Sequence, residues 1–587
     1  MNAELLLAHY DRISDAPDAV ARLRKFILDL AVRGKLVEQD MNDEPASELL
    51  LRIQREKRKL FGKSNVRVDK PQVPIAQDEL PFELMPNWQA ARMSDVLLEI
   101  QTGPFGSSLH QSDYQKNGIP VINPASIQNE RLIPIEKMAV GPTTLERLAT
   151  FKLHKGDIVM ARRGEMGRCA VVTEREDGWL CGTGSLILRL ASCVSERYFV
   201  LLIGSPFVRE YLGGSAVGAT MQNLNQSILL NLLVGLPPFA EQNRIVAKVD
   251  ELMALCDRLE ASRREQETHR DLLTASAHHH LNNGEDTEER RTRARFFIGN
   301  LTHLTKRPDQ IKQLRQTILN LAVRGRLIPQ NRQDGSASEL IKKIQADAAK
   351  LSDPQTQRLN SNLSAISEDE KPFRLPENWV WTRFGRLIIG SDAGWSPVTE
   401  SFPRFGDAWG VLKVSAVSWN RFLPVENKQL LSGVTPPLSA QVQRGDFLIS
   451  RANTSELVAK SVIVEEEPGR LILSDKIVRL KIAARCNQRY LCIVNNHAAY
   501  ARSYYAEVAS GTSLSMKNVS RAVIYSLLIP LPPLAEQNRI VAKVDELMAL
   551  CDKLETSLSS AQTEACRLLE SVLHAALNSD HRRIDQG

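Results

Sequence analysis

The chain is poor in the residues that metal and redox chemistry need. Its eight cysteines, at 169, 181, 193, 256, 486, 492, 551 and 566 of 587 residues, include no C-x-x-C pair, so neither a zinc ribbon nor a dithiol motif is expected. Cys256 and Cys551 fall at apolar helix positions and read as small buried hydrophobes. Three consecutive histidines, His278 to His280, cannot all face one ion from a helix, whose successive side chains point about 100° apart; no metal site is expected. No apolar run approaches the roughly 20 residues of a membrane span. Met1 to Tyr10 lacks the basic flank and cleavage pattern of a secretory signal, and the expected location is the cytoplasm, with no membrane partner.

Catalytic motifs are missing too. Leu236-Pro237-Pro238-Phe239 has the outline of the Asn/Asp-Pro-Pro-Phe/Tyr motif of adenine methyltransferases, but leucine cannot hydrogen-bond the target amino group. Gly62-Lys63-Ser64 ends like a P-loop, yet Lys57 stands where the first glycine belongs, and no strand precedes it. There is no G-x-G-x-x-G and no nucleophile–base arrangement. The chain reads as a non-enzyme with no cofactor of its own. A net charge of +6 leans mildly toward polyanions.

What the chain does have is duplication. Leu236 through Glu260 returns as Leu531 through Glu555, 295 residues later, with only Phe239/Leu534 and Arg258/Lys553 differing. A second module also recurs: Leu23 to Leu36 matches Leu314 to Leu327, Ala46 to Leu49 matches Ala337 to Leu340, and Asn87-Trp88 matches Asn378-Trp379, all at an offset of 291. Leu23, Ile27, Leu30 and Ala31 repeat at helical spacing, with Gly34 as the stop.

The Leu531 copy carries apolar or small residues at Ile540, Val544, Leu547, Cys551, Leu554, Leu558, Ala561, Ala565 and Leu568, a heptad seam of about 35 residues and roughly 50 Å. The Leu236 copy keeps the seam at Ile245, Val249, Leu252, Cys256 and Leu259, then loses it at Arg263 and Gln266. The middle of the chain runs as the Leu236 module followed by the Leu314 module; the C-terminus repeats the first and the N-terminus the second. The termini are therefore expected to pack together, completing a circular, pseudo-twofold arrangement.

Between the modules lie two blocks of about 150 residues with short apolar runs broken by Gly and Pro. Ile119–Ile122, Asp157–Met160, Cys169–Val172 and Leu186–Leu190 read as strands in the first, with a helix from Ser195 to Leu212. Val411–Val414, Asp446–Ile449, Ser461–Val464 and Lys476–Leu480 read as strands in the second. Lys155 through Arg162 aligns with Arg444 through Arg451, but elsewhere the blocks diverge. A shared skeleton with unlike loops suits two readers of different targets, and paired heads on a helical spacer suit two half-sites on one duplex.

The repeated Leu-Pro-Pro-(Phe/Leu)-Ala-Glu-Gln-Asn-Arg-Ile-Val-Ala-Lys-Val-Asp-Glu-Leu after each block resembles the conserved region of type I restriction–modification specificity subunits. Thr102-Gly103-Pro104-Phe105-Gly106-Ser107-Ser108 and Lys155 through Gly164 resemble parts of their target-recognition domains. Chain length and the N-terminal arm look most like the EcoAI-like type IB subclass. The resemblance implies an α+β fold in which two α/β target-recognition domains are separated by two long antiparallel helical (coiled-coil) spacers. The segments would be 1–85, an N-terminal helical region; 86–235, the first recognition domain; 236–281, the central coiled-coil helix; 282–308, a charged linker; 309–375, the second part of the central region; 376–530, the second recognition domain; and 531–587, the C-terminal coiled-coil helix. It further implies a non-catalytic bacterial subunit that reads a bipartite site on double-stranded DNA. Its partners would be two modification subunits, which bring S-adenosylmethionine and methylate adenine, and two restriction subunits, which bring ATP and Mg. The alternative is a structural adaptor holding two protein-binding heads.

Base edges are read by guanidinium, amide and hydroxyl groups, and phosphates favour Arg and Lys. The candidate DNA contacts are Ser107, Ser108, Arg162, Arg163, Arg168, Gln222 and Asn223 in the first head, with Gly103 and Gly106 allowing close approach. In the second they are Arg451, Asn453, Thr454, Lys460, Ser513, Ser515 and Lys517. Arg162 and Arg451 stand out, because each follows the corresponding strand.

Overall fold

The leucine and isoleucine periodicity at residues 23–31 folds as α1 (Ala19–Val32), and the Ala46 segment as α2 (Ala46–Asn65). Gly34 closes α1 at φ +72, where Lys35 N–H donates to the Leu30 carbonyl at 3.0 Å, the longer bond of a Schellman cap. Gly325 closes its counterpart α4 (Pro308–Val323) in the same way, with Arg326 N–H on Leu321. The structure is a computed structural model and describes residues 16, 18–65, 75, 79–80, 82–105, 108–215, 224–283, 292–293, 295–296, 299–418, 420–511 and 516–578.

The chain divides into two compact units, Met1–Glu267 with Ala561–Gly587, and Thr268–Ser560. In the first, a head is built on a four-stranded antiparallel sheet. Its strands are β2 (Leu97–Thr102), β3 (Ile158–Ala161), β4 (Cys169–Val171) and β5 (Ser185–Leu190), in the order β2-β5-β3-β4. Where the chain enters and leaves the head, β1 (Gln89–Arg92) pairs antiparallel with β6 (Leu233–Leu236). The second unit repeats this plan. Its sheet of β8 (Ile388–Ala393), β9 (Phe447–Ser450), β10 (Ser461–Ile463) and β11 (Ile477–Ile482) has the order β8-β11-β9-β10. Its neck is β7 (Val380–Arg383) paired with β12 (Leu528–Leu531). The fold is α+β, and the expected strands match within a residue or two. The helix expected from Ser195 to Leu212 is two helices, Glu196–Gly204 and Pro206–Ser215. Pro206 breaks it, having no N–H to continue the ladder.

Each neck leads straight into a 45-residue helix, α3 (Phe239–Asn283) and α6 (Leu534–Asn578), each about 67 Å long and so longer than the seam alone suggested. Ile245, Val249 and Cys256 are buried in the first unit's core, and Ile540, Val544 and Cys551 in the second's; Leu252, Leu547, Leu554 and Leu558 are partly buried, as is Leu259. Much of this seam faces a short helix. Arg24 on α1 reaches Asp257 at 2.6 Å and Glu260 at 3.2 Å, and Arg315 on α4 reaches Asp552 at 2.7 Å and Glu555 at 2.9 Å. Arg263, where the seam was expected to stop, donates to the Ala16 carbonyl. Beyond it the buried face of α3 continues through Thr274, His278 and Leu281.

On α6, Ala561 is exposed and Leu568 only half-buried; the buried stripe passes through Ala565, Leu569 and Val572. A straight α-helix drifts about 20° per heptad, and three to four heptads turn the stripe by about 60–80°, most of the roughly 100° between successive side chains. Ala565, Leu569 and Val572 pack with Ala16 and Ala19, and Glu570 pairs with Arg22 at 2.7 Å. The C-terminal helix thus meets the N-terminal one inside the first unit. Within the segment expected to be an aperiodic linker, Leu301–Leu304 forms a helical turn, and its two leucines pack with Ala277, Leu281 and Leu314.

Candidate nucleic-acid interface

The heads are held to the helices by the duplicated motif itself. Buried Glu241 accepts hydrogen bonds from Trp88 Nε1 at 3.0 Å and Gln39 Nε2 at 2.6 Å, while burial pushes its carboxyl above the usual range. Gln242 accepts from the Ser195 N–H at 2.9 Å and donates to the Pro237 carbonyl at 3.0 Å. Ser195 in turn caps the helix Glu196–Gly204 of the head. The copy does the same work. Glu536 accepts from Gln330 at 2.7 Å, and Gln537 accepts from the Asn487 N–H at 2.8 Å and donates to the Pro532 carbonyl at 2.9 Å. Asn487 caps its helix as Ser195 does. Each Glu-Gln pair joins a neck, the loop after a short helix, and a head to the start of a long helix.

Arg162 and Arg451 occupy the same frame in the two heads. Each follows the third strand across its sheet, β3 or β9. Arg162 N–H donates to the Gly184 carbonyl at 2.9 Å, and its carbonyl accepts from Leu224 at 2.9 Å; Arg451 N–H donates to Lys476 at 2.7 Å, and its carbonyl accepts from Val519 at 2.8 Å. Both arginines are half-buried. Burial, with Arg163 adding its charge, lowers the Arg162 pKa from its ordinary value. The backbone is thus fixed at both arginines, and Arg162 Nε also donates to the Leu224 carbonyl at 3.4 Å, which leaves its terminal donors for an acceptor.

Gly103 leaves β2 so close to the next turn that a Cβ there would lie 2.0 Å from the Gly182 carbonyl, and its N–H donates to Ser185. The counterpart is Gly394, where a Cβ would lie 2.1 Å from the Ser474 carbonyl. The sequence reading missed it, although it stands at the same 291-residue offset. The backbone carbonyl of Ser108 accepts from Arg147 at 2.5 Å. Arg163 is exposed beside Arg162. Arg168 lies further along, on a cavity shared with Asn129, Glu130, Glu165 and Arg209. Gly106, Ser107, Gln222, Asn223, Ser513 and Ser515 lie outside the described residues.

In the second head, Asn453 pairs with Lys517 across a short two-stranded ladder, which brings both beside Arg451. Asn453 Nδ2 donates to Ser418 Oγ at 2.9 Å, Asn453 Oδ1 accepts from the Thr454 N–H, and Lys517 Nζ donates to the Gly511 carbonyl at 2.7 Å. Lys460 is turned elsewhere. Its ammonium donates to the Asn496 carbonyl at 2.7 Å, and burial beside Arg502 lowers its pKa to about 8. It braces the junction of β10 and the helix Gln488–His497, next to Ser461 and Asn496. Composition favoured lysine as a phosphate contact; only burial separates this one from Lys517.

His278 is buried with its Nδ1 2.8 Å from Thr317 Oγ1. Among the described residues, no three His, Cys, Asp or Glu side chains are grouped to hold a metal ion, and no helix is long and apolar enough to cross a membrane.

Residues 85–268 match the type I restriction modification DNA specificity domain. The chain is 32% identical over 580 residues to the specificity subunit of the Escherichia coli type I restriction enzyme EcoEI, covering 95% of this chain and 94% of the relative. It is 28% identical over 594 residues to the EcoAI specificity subunit of Escherichia coli, with the same coverage. The HsdS subunit of Thermoanaerobacter tengcongensis covers 85% of this chain and 99% of its own, at 18% identity and a TM-score of 0.44. With the motif, the paired heads and an EcoEI relative aligned along almost the whole length, the chain belongs to the type I restriction enzyme specificity subunits, on the EcoAI-like side of that family.

Proposed function

We propose that this chain directs a type I restriction–modification complex to a bipartite asymmetric DNA site, each head reading one half. The observation that carries this reading is the common frame around Arg162 and Arg451, pinned by matching backbone bonds but surrounded by different side chains. One frame with two texts is what two half-sites require. Arg162 and Arg163, and Arg451, Asn453 and Lys517, are the side chains best placed to meet DNA; Gly106, Ser107, Gln222, Asn223, Ser513 and Ser515, outside the described residues, complete the candidate set, with Gly103, Ser108, Arg168 and Thr454 shaping it. In this reading the long helices form an antiparallel spacer with pseudo-twofold organisation. Their duplicated starts offer matching surfaces to two modification subunits, and two restriction subunits complete the assembly in the bacterial cytoplasm. Methyl transfer and cleavage belong to those partners.

Selection from a random duplex pool, with and without modification subunits, tests the reading. Enrichment of a bipartite sequence is expected; no sequence enrichment in either arm favours a protein-binding adaptor instead. Four residues inserted between Arg263 and Leu272 add about one helical turn, or roughly 6 Å. The spacer between half-sites is expected to lengthen by about one to two base pairs, and an unchanged spacer refutes the ruler.

A further inference from the structure

One feature of the first head is left unused by the polar contacts. Phe105 is 70% exposed, on a turn built to hold it outward. Two residues before it, Gly103 is wedged against Gly182 and bonded to Ser185. The Phe105 carbonyl accepts from the Ser108 N–H at 2.8 Å and the Leu109 N–H at 3.2 Å. Leu109 is buried with Val121, Val140, Leu148 and Leu180, and Arg147 ties the turn down through the Ser108 carbonyl. A large apolar ring on an anchored turn beside two arginines, rather than folded back on the core, is placed to meet a partner surface. The Gly182–Ser185 turn that seats Gly103 also seats Arg162 through Gly184, so ring and guanidinium rise from one piece of backbone, with Arg163 alongside. An apolar group among cations matches the apolar surface of bases flanked by phosphates. In the second head the position equivalent to Phe105 is Ser396, whose hydroxyl donates to Asp475 at 2.5 Å, so the two heads differ here.

We propose that Phe105 is a DNA-contact residue of the first head, set against apolar base surface within the half-site that Arg162 addresses. The inference rests on the DNA-reading function proposed above. The apolar surface can be a thymine methyl in the major groove or the face of a partly unstacked base. The test uses the full chain assembled with its modification subunits and the duplex that the unaltered complex selects. If the unaltered complex selects nothing, the DNA-reading function itself fails, and this inference with it. If it selects a site, Phe105→Ala is expected to weaken binding about 10-fold, to relax selection in one half-site only, and to leave the salt dependence unchanged. Phe105→Leu is expected to recover most of the affinity. Arg162→Ala, by contrast, should lower the salt slope. Replacing thymine by deoxyuridine in that half-site reproduces the loss if the methyl is the partner. A 2-aminopurine probe brightened by the unaltered complex and not by Phe105→Ala marks an unstacked base. Affinity and selection unchanged in Phe105→Ala, or a loss spread over both half-sites, overturns the proposal.

Discussion

The two long helices are nearly the same molecule at one end and different molecules at the other. Phe239 to Glu260 and Leu534 to Glu555 differ at two positions, whereas beyond Glu260 and Glu555 few residues agree. The near halves carry the Glu-Gln lock, Ile245/Ile540, Val249/Val544 and Cys256/Cys551, and each does the same task in its own unit. The far halves bury the same helix face with opposite chemistry. Thr274 and Leu569 are equivalent positions 295 residues apart, 1% and 0% exposed. Near Thr274 the face is polar: Asp271 meets Arg307 and Gln310, and His278 meets Thr317. Near Leu569 it is apolar against Ala16 and Ala19. The polar joint lies in the middle of the chain; the apolar joint holds two segments far apart in sequence, where burial must act without help from chain continuity.

That contrast can be broken from either side. Leu569→Ala should cost the terminal joint about 2–5 kcal/mol, against about 1 kcal/mol for Thr274→Ala; hydrogen exchange on α1 and α4 reads each joint separately. Equal losses would remove the distinction. The near halves should respond alike: Gln242→Ala and Gln537→Ala each leave a helix-capping N–H without its acceptor, at about 1–3 kcal/mol, and exchange should rise equally at the helices starting at Glu196 and Gln488. A smaller, pH-dependent difference is expected between the units. Burial lowers the pKa of His278, and burial beside Lys460 and Arg502 lowers that of His497 to about 4; both lie in the second unit. A depressed histidine is neutral when folded and protonates on unfolding. Its contribution is therefore intact above about pH 6.5 and is lost as the pH falls toward the folded value. Between pH 7.5 and 5.5 the second unit should lose about 1 kcal/mol relative to the first. The raised carboxyls of Glu241 and Glu536 act in the opposite sense but occur once in each unit. Proteolytic opening at the two pH values measures the difference.

The near halves were legible in the sequence because apolar residues at heptad spacing announce a buried face, and the copy doubled the signal. The far half of α3 was not, because Thr274 and His278 hide a buried stripe behind polar side chains that find partners on another element. The strands were legible from short apolar runs. The inward turn of Lys460 was not, since only the fold brings the Asn496 carbonyl to its ammonium. Arg162 and Arg451 were legible from the aligned strand ends, whereas the outward set of Phe105 depends on a turn whose anchors, Gly182 and Leu109, are distant or apolar.

The claim that one frame carries two independent texts is tested most directly by exchanging residues 90–235 for the head of another specificity subunit and sequencing the methylome of a host carrying the exchanged chain with its modification subunit. One half-site should change while the other half-site and the spacer stay as they were. A change in both half-sites would contradict it.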